Sequence, residues 1–247
     1  MNSFLQIILI FSCFLSLIST YSSLQTLVSW VSIEYDWLSP SQRSLYLSSN
    51  LYIPENNALA GIKCYKNDIF LTVPRWLTGV PSTLNKLKLN EKGKYVLSPY
   101  PNWASNDLNN DFGFKYVQSM EIDTKGRMWI IDVGRLNIND EPKTVINGPA
   151  KIIILDINTE EIIKSLVLSE DIAPFNSSFL NDIVIDEKRG FAYITDTSGA
   201  IIIYNFKENI AKRWSSDTRK NEKELNFTID GVSYGILSLL QRLTAWL

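Results

Sequence analysis

The sequence contains no histidine in its 247 residues. Histidine is the commonest general base near neutral pH and the commonest zinc ligand, so its absence excludes a Ser-His-Asp triad and a histidine-ligated zinc site. Any acid–base chemistry would fall to Asp, Glu, Lys, Tyr or Cys. Because no catalytic constellation is recognisable, the sequence favours a binding protein over an enzyme, and the question of an enzymatic activity stays open.

Cysteine is also scarce, since Cys13 and Cys64 are the only two thiols. Cys13 lies in an apolar leader that we expect to be removed, which leaves Cys64 without an internal disulfide partner. Cys64 falls in an apolar stretch, and we predict that it is buried as a small hydrophobic side chain.

Runs of one charge sign are missing. The chain has 24 Lys and Arg against 26 Asp and Glu, which gives a net charge of -2. That balance provides no bulk attraction to nucleic acid or to an anionic membrane, so we expect neither as a partner. Aromatic residues make up 12% of the chain and suit the lining of a small-molecule pocket. We therefore expect a small-molecule ligand and no cofactor.

The N-terminus is typical of a secretory leader. Residues 4–18 (FLQIILIFSCFLSLI) form an apolar run shorter than a membrane span, and the small residues Ser19, Thr20, Ser22 and Ser23 follow it. No Lys or Arg precedes Arg43, which is unusual for a leader, so an uncleaved anchor is the alternative. We predict a signal peptide over residues 1–21 and a secreted, extracellular protein. Asn176 and Asn226 lie in Asn-X-Ser/Thr sequons and are candidate glycosylation sites.

An internal repeat is the most informative feature of the chain. Residues 120–132 (MEIDTKGRMWIID) consist of two apolar runs around a polar turn and end in aspartate. The same pattern returns at residues 183–196 (IVIDEKRGFAYITD), and a weaker copy occupies residues 61–73 (GIKCYKNDIFLTV). Each copy therefore predicts one β-hairpin.

A second hairpin is predicted after each copy, at residues 83–97, 151–168 and 200–214, around polar turns. Each unit then supplies four antiparallel strands, which is the composition of a propeller blade. One four-stranded sheet cannot bury both of its faces alone, whereas stacked blades bury them against each other. We predict an all-β fold, a partial β-propeller with about three to four blades; an isolated β-sandwich is the alternative architecture.

Several segments, in order along residues 28–236, resemble the yellow / major royal jelly protein family. The resemblance is carried by residues 69–76 (IFLTVPRW), 79–85 (GVPSTLN), 97–103 (LSPYPNW), 126–134 (GRMWIIDVG), 150–156 (AKIIILD) and 181–186 (NDIVID). It implies a secreted six-bladed propeller, with a partial propeller domain at residues 22–236. Residues 237–247 (LSLLQRLTAWL) depart from the family pattern, so we expect a divergent tail and a chain truncated before the propeller closes.

Polar residues at strand ends are the candidate ligand-binding residues. Arg75 and Trp76 follow Pro74 and could present a cation and an aromatic face to a ligand; the alternative is a packed tryptophan beside a surface arginine. Asp132 and Asp196 each end an apolar strand, where they either cap backbone groups or pair with an amine ligand at the channel mouth.

Asn181 and Asp182 begin a predicted innermost strand, so one of the two side chains is expected to face the central channel. A similar pair holds a divalent cation in related propeller lactonases, with other carboxylates. One pair is not a site and no partner carboxylate is identifiable, so we expect no metal.

The resemblance implies three functions. The first is the binding of a small ligand such as a biogenic amine in the propeller channel. The second is a dopachrome-converting enzyme of melanin formation, and the third is a structural or nutritive secreted glycoprotein. An incomplete propeller would also expose strand edges, so self-association through open blade edges is expected as well.

Overall fold

The computed structural model describes residues 26–140, 143–215, 227–229 and 232–234. The chain divides into two units, Met1–Val31 and Ser32–Leu247. The described residues of the first unit, 26–31, contain no helix or strand, and every element below belongs to the second unit. The predicted signal peptide, the predicted tail at 237–247 and the sequon at Asn226 lie outside the described residues.

Three four-stranded antiparallel sheets dominate the second unit, and each is built from consecutive hairpins. Blade 1 contains, in sheet order, β1 (Ile62–Tyr65), β2 (Asp68–Thr72), β3 (Leu84–Leu89) and β4 (Tyr95–Pro99). These strands confirm the two hairpins predicted from the weakest repeat copy and the segment that follows it.

Blades 2 and 3 repeat this arrangement. Blade 2 contains β5 (Val117–Ile122), β6 (Arg127–Asp132), β9 (Lys151–Asp156) and β10 (Glu161–Val167); a small pair, β7 (Arg135–Leu136) and β8 (Val145–Ile146), lies in the connection between β6 and β9. Blade 3 contains β11 (Leu180–Asp186), β12 (Phe191–Asp196), β13 (Ala200–Asn205) and β14 (Ile210–Ser215), and a hairpin of β15 (Phe227–Ile229) and β16 (Val232–Tyr234) follows. The all-β prediction with propeller-type blades is confirmed.

Blade 2 is buried on both faces, which explains the uninterrupted apolar runs at residues 128–131 in β6 and 152–155 in β9. Met128 and Ile130 pack with residues of blade 1, including Phe70, in one cluster. The alternate residues Trp129 and Ile131 pack with residues of blade 3 in a second cluster. Because successive side chains of a strand point to opposite faces, only a sheet that is covered on both sides needs such a run.

Blade 3 is buried on one face only within the described part of the chain. In β12, Ala192 and Ile194 are fully buried against blade 2, whereas Tyr193 is 39% exposed. On that same outer face, Val184 and Trp214 are 62% and 54% exposed. The alternation in exposure follows the two-residue period of a strand, so the outer face is apolar and open among these residues.

Close contact between blades 1 and 2 requires a glycine at the β5–β6 turn. Gly126 adopts φ +77°, and a Cβ built there would lie 2.5 Å from the hydroxyl of Tyr65 on blade 1. Glycine is the residue that tolerates both the left-handed backbone and this approach.

Cys64 is exposed rather than buried, so that prediction is wrong. It lies on β1, the edge strand of blade 1, where exposure alternates with partial burial along Ile62–Tyr65. An apolar neighbourhood in sequence does not bury a side chain whose face of the sheet is left uncovered.

The segment before blade 1 pairs with its outermost strand. Tyr35 forms a parallel bridge with Leu97 of β4, and helix α1 (Pro40–Ser48) follows, capped by the Ser39 side chain, which accepts from the Gln42 N–H at 3.1 Å. Trp37 stacks on Trp103 with ring centroids 5.1 Å apart. This segment therefore covers the outer edge of blade 1, an edge that would otherwise be open to pairing.

No helix in the described ranges has both the length and the apolar character needed to cross a membrane.

Candidate functional site

The first strands of the three blades, β1, β5 and β11, lie beside one another, as the innermost strands of a propeller do. Polar side chains connect them. Lys63 Nζ on β1 lies 2.8 Å from Glu121 Oε2 on β5, and Ser119 Oγ on β5 donates to Asp182 Oδ1 on β11 at 2.9 Å. The inner side of the partial propeller is therefore a polar strip that crosses all three blades.

Asp182 is the exposed carboxylate of this strip. A register shift between Leu180 and Asp182 marks a β-bulge at the start of β11, and such bulges re-aim side chains. Asp182 Oδ1 also accepts from the Ile183 N–H at 2.9 Å, and no described residue donates to Oδ2. Asn181 beside it is half-buried. The prediction that Asn181–Asp182 begins an innermost strand is confirmed, whereas the ligand-binding role stays a prediction.

Asp132 is buried and binds backbone amides. Its oxygens accept from the N–H groups of Lys115 and Tyr116, each at 2.8 Å, and of Gly134 at 3.1 Å. The Lys151 ammonium lies 3.6 Å away and the Asp132 side chain is 0% exposed. The carboxylate thus fastens the end of β6 to the segment that enters β5, with no oxygen open to solvent.

Asp196 repeats this arrangement one blade further on. It accepts from the Phe179 and Ser198 N–H groups at 3.0 and 2.9 Å, and from Ser178 Oγ and Arg213 Nη1, each at 2.7 Å. Burial pushes its pKa up, but the hydrogen bonds from Arg213, the two amides and Ser178 outweigh burial, so the pKa lies below its usual value. The capping interpretation of both aspartates fits this geometry, and the amine-pairing role stays a prediction.

Arg75 is buried, 3% exposed, and is therefore not the surface arginine of the alternative interpretation. Its five N–H groups all donate to backbone carbonyls. The acceptors, at 2.6–3.1 Å, are those of Val80, Pro81, Asn106, Phe114 and Lys115. Burial lowers the pKa of Arg75 to about 10, and the nearby Asp132 carboxylate works in the opposite direction. A guanidinium whose five donors are all used presents none to a ligand.

Trp76 is partly buried and packs against the cluster between blades 2 and 3. Arg75 and Asp132 meet at the segment that enters β5, because both bind the backbone of Lys115. Asp196 lies at the entry to β11, and Asn181–Asp182 lies on β11 itself. The predicted ligand-binding residues therefore do not converge on one pocket within the described ranges.

Two lysines of structural importance were not predicted from the sequence. Lys115 Nζ donates to the carbonyls of Leu108 and Asn110 at 2.6 and 2.8 Å, and Lys151 Nζ donates to the Gly113 carbonyl at 2.6 Å. Burial is the main cause of a lowered pKa for Lys115. Together with Arg75 these cations hold the β4–β5 connection, and nothing in the local sequence separates them from surface lysines.

A cleft of about 400 Å³ also went unpredicted. It lies between the end of α1 and three connections: β2–β3, β4–β5, and the β7 segment that follows β6.

Among the described residues no group of three His, Cys, Asp or Glu side chains is placed to hold a metal ion.

Comparison with known proteins identifies the family. The sequence profile described as "Major royal jelly protein" matches residues 116–237. "Protein yellow" of Drosophila guanche is 30% identical over 224 residues, and that of Drosophila melanogaster is 28% identical over 224 residues. The chain belongs to the yellow / major royal jelly protein family.

The alignments with these two yellow proteins cover 85% of this chain but only 38% and 40% of the relatives' lengths. The yellow / major royal jelly chain described here therefore spans well under half the length of these relatives.

Solved structures similar to this yellow / major royal jelly chain include the RRP9 WD40 repeats, with a TM-score of 0.40 and 10% identity, covering 66% of this chain and 40% of that one. Saccharomyces cerevisiae Sqt1 gives a TM-score of 0.36 and 11% identity, covering 68% and 37%.

Proposed function

We propose that this member of the yellow / major royal jelly protein family is a secreted protein that binds a small ligand of the biogenic amine class on the inner side of its blades. The observation that supports the proposal is the Asp182 carboxylate, which is exposed on an innermost strand and keeps one oxygen without a donor among the described residues. An ammonium group is the natural partner for such an oxygen.

The other candidate carboxylates fit this role less well. Asp132 and Asp196 are buried and have their oxygens occupied by backbone and side-chain donors. On the polar strip, Glu121 is already paired with Lys63 at 2.8 Å. Asp182 is thus the carboxylate of the inner strands best able to accept a charged donor from a ligand.

The test is calorimetric titration of the secreted chain with serotonin, dopamine and tyramine. We expect saturable binding, weakened about tenfold in Asp182→Asn because a charge-assisted hydrogen bond is replaced by a neutral one. Asp171→Asn makes the same charge change at an exposed position away from β11 and should bind as the parent does.

Absence of binding for all three amines, or equal binding by Asp182→Asn and the parent, would contradict the proposal. Faster decay of dopachrome in the presence of the protein would instead favour the enzymatic alternative.

Secretion and glycosylation belong to the same proposal. Asn176 is exposed in the connection before β11 and its backbone carbonyl accepts from Arg135, so the side chain is accessible to a glycan. The mass decrease on glycosidase treatment should be smaller by one glycan in Asn176→Gln than in the parent, which tests occupancy of this sequon separately from Asn226.

We also propose self-association of two copies through the outer face of blade 3. That face is apolar, with Val184, Tyr193 and Trp214 exposed, and exposed apolar surface of this kind favours burial against a second copy.

A further inference from the structure

The cleft at the loop end of blades 1 and 2 lies apart from the inner strands. Its walls come from four separate stretches of chain, and its volume of about 400 Å³ falls within the range of small-molecule sites. None of the residues that line it belongs to β1, β5 or β11. Whatever occupies the cleft therefore does not share the site proposed at Asp182.

The walls of the cleft are held in place before any ligand arrives. Arg75 binds the carbonyls of Val80, Pro81 and Asn106, which ties two of the connections together. The Ile53 N–H and the Asn57 side chain both donate to the Gly79 carbonyl, at 2.9 and 3.0 Å. A preformed cleft spares a ligand the entropic cost of ordering loops.

The polar groups at the cleft are mostly neutral and act both as donors and as acceptors. Asn50 and Thr78 line the cleft, and their side chains form no hydrogen bond with other described residues. Asp107 adds a carboxylate: Oδ1 accepts from the Asn109 N–H at 2.9 Å, whereas Oδ2 has no donor within the described ranges. Amides, hydroxyls and a carboxylate oxygen together match ligand hydroxyl groups, which donate and accept at once.

The charges around the cleft select against an ionic ligand. Arg75 lines the cleft, and Lys115 and Lys151 are buried in or beside the same connection; the carboxylates of Asp132, Asp107 and Asp111 lie near these cations, so the charges around the cleft are close to balanced. A balanced set of charges gives a cation no strong net attraction. An anion would meet the exposed Asp107 carboxylate and would find every N–H of Arg75 already engaged.

The remaining wall is apolar. Leu77, Leu108, Leu136 and Val80 line the cleft and offer a surface for the C–H face of a ring. Leu136 and Val80 are 7% and 5% exposed, so this surface is part of a packed wall and not a set of mobile side chains.

From this geometry we infer that the cleft binds a neutral polyhydroxylated ring, a single monosaccharide unit. Asp107 accepts from its hydroxyl groups, Asn50 and Thr78 donate to and accept from others, and the leucine wall covers its apolar face. The inference goes beyond the amine proposal and does not depend on it.

The experiment is saturation-transfer difference NMR of the secreted full chain with glucose, mannose, galactose and N-acetylglucosamine in turn. We expect ring-proton signals for at least one sugar. Asp107→Asn should weaken the binding of that sugar about tenfold, because a neutral amide oxygen accepts a hydrogen bond less strongly than a carboxylate oxygen does. The substitution keeps an oxygen to accept from the Asn109 N–H, so the loop turn is preserved.

Thr78→Trp fills the cleft and should abolish the signals, with an unchanged circular dichroism spectrum as the check on folding. Two controls should bind the sugar as the parent does: Asp111→Asn, exposed in the same loop, and Asp182→Asn on the inner strand.

No signal from any of the four sugars, or signals unaffected by both cleft variants, would overturn the inference. Amine binding that is lost in Asp107→Asn but kept in Asp182→Asn would also overturn it, since the cleft would then be a cation site; that pattern is separable from a failure of the Asp182 proposal alone.

Discussion

At the scale of the residue, the charged side chains that look functional in sequence mostly stabilise the fold. The five N–H groups of Arg75 all donate to backbone carbonyls, and the Asp132 carboxylate accepts from three backbone N–H groups. Buried polar backbone groups need partners, and the entries to β5 and β11 have no strand to supply them. Asp182 differs because it is exposed on its strand.

Asp196 makes the stability of the fold depend on pH. Its folded-state pKa is lowered, so the ionised carboxylate stabilises the fold above the unfolded pKa of about 3.9, and that contribution is lost as the pH falls through the folded pKa. We expect Asp196→Asn to lower the free energy of unfolding by about 2 kcal/mol at neutral pH, because Arg213 loses an ionic partner. Below about pH 4, the free energy of unfolding of this variant should fall less steeply than that of the parent.

Urea unfolding at a series of acidic pH values measures both effects of Asp196→Asn. Asp171→Asn, at an exposed position, is the control and should retain the pH dependence of the parent. An identical pH dependence in Asp196→Asn and the parent would show that the Asp196 carboxylate does not cause it.

At the scale of the element, equivalent strands in successive blades differ in what covers them. Ile154 on β9 pairs with Trp129, and Ile203 on β13 pairs with Tyr193, so the two isoleucines hold equivalent places in blades 2 and 3. Ile154 is fully buried, whereas Ile203 is half-buried. The difference arises from the neighbouring sheet and not from the strand itself.

The matched pair gives a stability prediction. Ile154→Ala should lower the free energy of unfolding by about 3–4 kcal/mol, because it leaves a cavity between two sheets. Ile203→Ala should lower it by only about 1 kcal/mol, since its face remains partly solvated. Chemical unfolding of dilute protein measures both, and equal losses would mean that the outer face of blade 3 is as well covered as that of blade 2.

At the scale of the whole molecule, the three described blades leave an apolar face at one end of the stack. The equivalent face of blade 2 is covered by blade 3, and its residues Trp129 and Ile131 are 0% exposed. Tyr193, which holds the position of Trp129 in blade 3, is 39% exposed. Exposed apolar surface of this kind favours association.

Self-association is tested by size-exclusion chromatography with light scattering over a range of concentrations. We expect the parent to form dimers at high concentration, and Trp214→Lys to shift the equilibrium at least about tenfold toward monomer, because a buried aromatic anchor is replaced by a charge. Phe112→Lys changes an aromatic residue that is 86% exposed on a loop and should leave the equilibrium unchanged. A parent that is monomeric at every concentration would rule out association through this face.

The sequence by itself determined the strands, their hairpins and their grouping into blades, because strand alternation, turn residues and the recurrence of one pattern at residues 120–132 and 183–196 can be read along the chain. In the structure, Ser119 and Asp182, which are 63 positions apart, are hydrogen-bonded across blades 2 and 3.

Only the tertiary structure decided which side chains are accessible. It exposed Cys64, buried Arg75 and Lys115, and formed the cleft from four stretches of chain that are distant in sequence. Burial depends on the neighbouring sheet and the connections that cover a face, and neither is encoded in the local pattern of the strand.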